Sequence, residues 1–207
     1  AMESDQPLGF VGLVVALLVP VAVGRPDLAT EALDELAVDG LDVAAVGQSD
    51  ALVGASLALL QDGQAPRAAA LLGRMAGATE PEAHPSSASS LALALVATGQ
   101  REGVGPLVEG TLASPRATYH DRALALLAGL LAGVAEGDWV RATELAGRVT
   151  ELVAGTQDRL LQTAVAAVIE EALGPEAATG PRLPGVPVAG WRTIARQALG
   201  ASPLTAS

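Results

Sequence analysis

The sequence predicts an all-α protein on the strength of three observations. Half of the 207 residues are hydrophobic but only 2% are aromatic, so a core must be built from Leu, Val and Ala. Alanine is abundant and runs of β-branched residues are short, which favours helices over strands. Five glycines also recur at intervals of 36 to 39 residues, which indicates a repeated pair of helices.

The first element is an uncharged apolar run at 6–24. Pro20 interrupts this run, and Glu3 and Asp5 precede it where a signal peptide carries positive charge. We therefore expect a buried first helix and not a membrane anchor. Because it is apolar on all faces, it needs cover on more than one side, which a homodimer or a further part of a longer protein would supply.

Four glycines, Gly24, Gly63, Gly99 and Gly137, each begin the same pattern. We expect each to end one helix with a positive φ, so that the next segment forms the second helix of a hairpin. Residues five, nine and twelve positions later then share one face of that second helix and pack against the first helix. They are apolar with one exception: Ala29, Leu33, Leu36, Ala68, Leu72, Met75, Val104, Val108, Thr111 (the exception), Ala142, Ala146 and Val149.

With this pattern, residues 8–174 resemble the tetratricopeptide repeat superfamily, although the units are two to five residues longer. Aliphatic residues such as Leu52 and Leu59 replace the tryptophan and tyrosine of the family's first helix. The resemblance implies a right-handed α-solenoid of four to five helix–turn–helix hairpins, whose first helices line a concave groove that takes peptides. Transferred to this sequence, the groove residues are Val53, Leu57, Leu60, Gln61, Ser86, Ser89, Leu93 and Val96.

The organisation of the rest follows from glycine, proline and apolar periodicity. The repeat array is predicted to span 1–174, and within it the Gly- and Pro-containing segment 101–113 predicts a short irregular helix or a hinge. A Pro/Gly-rich linker at 175–190 follows, because its prolines exclude a helix of useful length. Residues 191–200 are predicted to form a helix that caps the last hairpin through Trp191, Ile194 and Leu199, and 201–207 a loose tail.

The charge is strongly negative and uneven. The net charge is −11, and residues 1–50 hold nine acidic residues and one arginine, which opposes nucleic acid or an anionic membrane as a partner. The first hairpin therefore carries an acidic edge, which is either a solvated face or a contact surface for a basic partner. The residues of this acidic edge are Asp27, Glu31, Asp34, Glu35 and Asp39.

Groups for catalysis are scarce. The chain has no lysine and no cysteine, which excludes a P-loop lysine, a Schiff base and thiolate chemistry. His84 has Glu80 and Glu82 nearby, but one histidine beside loop carboxylates is a weak metal signal. His120 precedes Asp121, which most simply serves the first turn of a helix. We predict no catalytic residue, metal or cofactor.

The predicted function is a non-enzymatic protein-interaction or regulatory module that binds a protein or peptide in the cytoplasm. By analogy, it suits the sensor or regulatory region of a bacterial signalling or transcription-control protein. The alternative is a protein that binds a small hydrophobic ligand on its apolar concave face. An enzyme acting through His120 or His84 is a third and weaker hypothesis.

Overall fold

The computed structural model describes residues 19, 21, 23–35, 49–75, 80–180 and 183–200. Within these ranges the regular structure is helical throughout, so the all-α prediction is confirmed. Most of the apolar run at 6–24, and the whole tail 201–207, lie outside the described residues. The helices with described bounds are α1 (Pro26–Glu35), α2 (Ser49–Gln61), α3 (Ala65–Gly73), α4 (Pro85–Ala97), α5 (Val104–Ala113), α6 (Tyr119–Glu136), α7 (Trp139–Ala154), α8 (Arg159–Leu173) and α9 (Ala189–Gly200). Among these helices, none combines the length and apolarity that crossing a membrane requires.

The recurring glycines adopt the conformation that their spacing predicts. The φ angles of Gly24, Gly63, Gly99, Gly137 and Gly174 lie between 76° and 93°. In three of these turns the amide after the glycine donates a 2.8 Å hydrogen bond to the carbonyl five residues earlier. This bond belongs to the Schellman motif, which needs a left-handed residue and therefore favours glycine.

Sequential helices contact one another along the whole described array. A second set of contacts joins alternate helices, since α2 contacts α4, α4 contacts α6, and α6 contacts α8. We call these four helices, α2, α4, α6 and α8, the helix row. The helix row therefore runs through the described part of the chain as a connected set of helices.

The apolar positions of the repeated pattern are buried where they are described. Ala29, Ala68 and Ala142 are fully buried, and Thr111, the one polar member of the pattern, is fully buried as well. The approach of α6 and α7 is close, because a Cβ added at Gly133 would lie 3.4 Å from the backbone nitrogen of Ala142. Small residues therefore set the distance between α6 and α7.

The segment with several glycines and a proline forms a regular helix, α5. Its N-cap, Gly103, has a φ of 86°. Gly110 packs directly against the Pro81 ring, where an added Cβ would overlap the proline. At this position glycine permits contact with the turn before α4.

The last helix, α9, makes contacts of a different kind. It begins at Ala189, two residues before the predicted start, and contacts all four members of the helix row. These contacts extend beyond the last hairpin, which the sequence predicted it to cap. Its inward face is tightly packed, since Ile194, Ala195 and Ala198 are at most 1% exposed.

Candidate binding site

Helix α9 is held on the helix row by shape and by polar contacts. Gly190 lies against the side chain of Gln61, and a Cβ added there would lie 2.6 Å from the Gln61 Cβ. The side-chain amide of Gln197 donates a 2.6 Å hydrogen bond to the carbonyl of Gly63. Two turns of α9 therefore contact the C-terminal end of α2 and the turn that follows it.

Two ion pairs join α9 to α8. Arg192 contacts Glu170 at 3.1 Å, and Arg196 contacts Glu171 at 2.8 Å. The Arg196 guanidinium, through its hydrogen bond and its charge, holds the pKa of the Glu171 carboxyl below its usual value. The side chains are 62% and 23% exposed in the Arg196–Glu171 pair, so water screens it and it contributes more to orientation than to stability.

The groove residues transferred from the repeat resemblance lie mostly out of solvent. Leu60, Leu93 and Val96 are at most 1% exposed, and Ser89 is fully buried with its hydroxyl donating to the carbonyl of Ser86 at 3.1 Å. Gln61 and Val53 are at most 9% exposed, while Leu57 and Ser86 are half-buried. Of these eight residues, only Leu57 and Ser86 therefore keep a substantial exposed fraction.

An apolar cavity of about 280 Å³ lies beside α9. Its walls come from α2, from the beginnings of α6 and α8, from the linker and from α9 itself. Val21, a described residue of the apolar run 6–24, adds to the wall. The residues that line this apolar cavity are Val21, Gly54, Leu57, Gln61, His120, Leu124, Asp158, Leu160, Leu161, Ala164, Val186, Pro187 and Trp191.

A small polar cluster adjoins the apolar cavity, because His120 and Asp158 are among its lining residues. The His120 Nε2 atom lies 3.0 Å from an Asp158 carboxylate oxygen, and the Tyr119 hydroxyl lies 3.4 Å from the same oxygen. The other Asp158 oxygen accepts a 2.9 Å hydrogen bond from the Leu161 amide and so caps α8. Partial burial and the Asp158 charge raise the pKa of Tyr119 above its ordinary value.

The sequence alone missed Asp158 as the partner of His120. Asp121, the neighbouring carboxylate, instead forms a capping box with Thr118, in which each residue's backbone amide bonds the other's side chain. A signal for Asp158 did exist, because His120 and Asp158 are 38 residues apart, which is the length of one unit. In the predicted repeat, residues one unit apart occupy equivalent places on neighbouring first helices and can therefore meet.

The described residues of the acidic edge are partly neutralised within the chain. Asp27 pairs with Arg25 at 2.5 Å, and Asp34 pairs with Arg67 at 2.7 Å. The hydrogen bond from the Arg25 guanidinium lowers the pKa of Asp27. Glu31 and Glu35 are exposed, whereas Asp39 lies outside the described residues.

His84 is exposed at the N-cap of α4, where its side chain makes no capping hydrogen bond. Across the described ranges, no three His, Cys, Asp or Glu side chains come together as a metal site would need. Glu80 and Glu82 are also exposed, so the three side chains that suggested a metal do not form such a group.

Comparison of the chain with protein-family models, with curated proteins and with solved structures gives no match. The resemblance to tetratricopeptide repeats therefore stays a prediction from the sequence pattern.

Proposed function

We propose that this protein is a non-enzymatic interaction module, a solenoid of four to five TPR-like hairpins whose helix row binds an amphipathic helix of a protein partner. The observation that supports the proposal is the seat of α9, an amphipathic helix of the chain itself that contacts α2, α4, α6 and α8. A surface that holds one such helix in cis has the shape and charge to hold another in trans.

The contacts of α9 define the chemistry of that partner. It needs a residue without a side chain where Gly190 meets Gln61, because no Cβ fits there. It needs small and branched apolar residues at the positions of Ile194 and Ala198, which are at most 1% exposed. It also needs two basic side chains four residues apart to meet the glutamates of α8, as Arg192 and Arg196 do.

The test is a competition between α9 and a peptide of its own sequence. In the full chain, Ile194→Asp buries a charge on α9 and should release this helix from the helix row. A fluorescent peptide of residues 186–200 should then bind the variant at least about tenfold more tightly than the native chain, because the cis helix no longer competes. Fluorescence anisotropy measures both affinities.

Two controls make the competition specific. Ala189→Asp places the same charge at an exposed position of α9. This variant chain should bind the peptide with the same affinity as the native chain. The peptide that carries Ile194→Asp should bind none of the three chains. Equal binding of the native peptide to all three chains would refute the proposed function.

The Glu171 pair gives a second readout with a defined sign. Because the folded pKa of Glu171 is lowered below its usual 4.5, the pair stabilises α9 docking above that pH and is lost as the pH falls through the folded pKa. The peptide supplies the same arginine in trans, so its affinity for the Ile194→Asp chain, where the cis helix no longer competes, should fall as the pH drops below about 4.5, by no more than an exposed ion pair contributes. The variant Glu171→Gln should remove this dependence.

A further inference from the structure

The apolar cavity is built from segments that are far apart in the sequence. Gly54 and Leu57 come from α2, Leu160 from α8, and Pro187 and Trp191 from the linker and α9. The linker wall is held in place because Pro187 packs directly on Gly24, where an added Cβ would overlap the proline ring. One wall of the cavity therefore depends on the positions of α9 and the linker.

The lining decides what kind of molecule fits. Among its thirteen residues, ten are apolar or glycine, and the three with polar side chains are Gln61, His120 and Asp158. Ligand sites of this type combine apolar walls with a few polar groups, and about 300 Å³ is the lower end of their usual volume. A volume of about 280 Å³ suits a compact molecule.

The polar cluster restricts the ligand further. Both oxygens of Asp158 already accept hydrogen bonds, one from the Leu161 amide and the other from the Tyr119 hydroxyl, and the His120 Nε2 atom lies 3.0 Å from the second oxygen. The imidazole of His120 uses Nε2 for Asp158, so Nδ1 is its second hydrogen-bonding atom. The Asp158 carboxylate and the net charge of −11 both oppose an anionic ligand.

We propose that the apolar cavity binds a compact, uncharged apolar molecule that carries one hydrogen-bonding group, such as an alcohol or a phenol, with this group against His120. Because the ligand contacts Leu57 and Leu160 on one side and Pro187 and Trp191 on the other, it stabilises the docked position of α9. The ligand thereby opposes binding of a partner helix, and this consequence alone rests on the proposed function.

The two tryptophans of the chain allow a direct test. Trp191 lines the apolar cavity, whereas Trp139 is 55% exposed on α7, away from it. In the full chain with Trp139→Phe, a bromine-substituted octanol should quench the Trp191 fluorescence to a saturating level, because bromine quenches tryptophan on contact. Unsubstituted octanol should reverse the quenching by competition. Quenching that rises linearly without saturation, or that octanol does not reverse, would overturn the proposed site.

A matched pair of variants locates the binding. Leu160 and Val140 are 56% and 82% exposed, so an aspartate is tolerated at either position without burying a charge. Leu160→Asp alters the wall of the apolar cavity and should weaken binding of the bromo-octanol at least about tenfold, since an unpaired carboxylate then faces an apolar ligand. Val140→Asp adds the same charge on α7 and should leave the affinity unchanged. Equal weakening in both variants, or in neither, would contradict the site.

A further measurement separates the site from the proposed function. Saturating octanol should lower the affinity of the native chain for the fluorescent peptide of residues 186–200. Saturable quenching without any peptide binding would support the ligand site and refute the proposed interaction module. Peptide binding without saturable quenching would keep the module and refute the ligand site.

Discussion

The α4–α5 and α6–α7 pairs follow the same sequence pattern but are stabilised by different means. Helix α6 has a capping box at its start and Gly137 at its end, and Asp138 caps α7 by accepting from the Arg141 amide at 3.0 Å. Helices α4 and α5 begin without any side-chain cap, and α5 carries two interior glycines and a proline.

The contacts of α5 with distant residues compensate for its weak local signals. The Ser114 hydroxyl, just after α5, donates a 2.9 Å hydrogen bond to the carbonyl of Glu82, and Gly110 packs on Pro81. Val104, Leu107 and Val108 are buried in the core. The α6–α7 pair is thus specified mainly by adjacent residues, and α5 mainly by its surroundings.

The largest expected effect is on the close crossing in the α6–α7 pair. Gly133→Leu should lower the free energy of unfolding by about 3 kcal/mol, because the backbone of α7 at Ala142 cannot move away from the added side chain. Chemical denaturation monitored by circular dichroism measures the change. Gly147→Leu on the open side of α7, where nothing lies within 4 Å, is the control and should not destabilise. A cost equal to that of the control would show that the crossing can relax.

The second largest effect is expected at the contact between Gly110 of α5 and Pro81. Gly110→Ala should lower the free energy of unfolding by about 2 kcal/mol, although alanine is the better helix former, because the methyl group overlaps Pro81. The double variant Gly110→Ala, Pro81→Ala should recover much of the loss in the same denaturation experiment. Stabilisation by Gly110→Ala alone would mean that local propensity governs α5 after all.

A smaller effect is expected at the start of α6. Asp121→Ala removes the capping box with Thr118 and should cost about 1 kcal/mol of unfolding free energy. Glu109→Ala removes an exposed carboxylate from α5 and is the matched control, with no measurable cost. Equal midpoints of thermal denaturation for the two variants would refute the claim that the capping box stabilises α6.

The smallest effect has the opposite sign. Nothing lies within 4 Å of a Cβ added at Gly105, so Gly105→Ala should raise the free energy of unfolding by about 0.5–1 kcal/mol through helix propensity alone. The same denaturation series measures it. A loss of stability would mean that α5 needs a flexible residue at this position, as the hinge hypothesis requires.

Much of the fold could be predicted because its signals are local. The glycine that ends each first helix and the small residue five positions later both follow from the geometry of one turn. The seat of α9 could not be predicted, since the pattern of Ile194, Ala195 and Ala198 shows that one face is buried but does not show against which helices. The contact of Gly110 with Pro81 could not be predicted from the sequence either, because it depends on how α5 packs against the turn before α4.

The candidate site could be predicted from the sequence only in part. The groove residues Leu57 and Gln61 line the apolar cavity, but Val186, Pro187 and Trp191 enter it only because the linker folds back. The pairing of His120 with Asp158 was within reach of the sequence, since one unit length separates them. Asp121 is the carboxylate next to His120 in the sequence, but it caps α6 instead. The spacing of one unit length identifies the actual partner, Asp158.

The seat of α9 also has a consequence for folding cooperativity. In a linear array of helix pairs each unit contacts only its neighbours, so the ends can unfold while the middle persists. Here the Gln197–Gly63 hydrogen bond joins residues 134 positions apart, and α9 contacts every member of the helix row. Loss of α9 therefore weakens the whole helix row at once, and native-state hydrogen exchange should report the amides of α2 to α8 opening together.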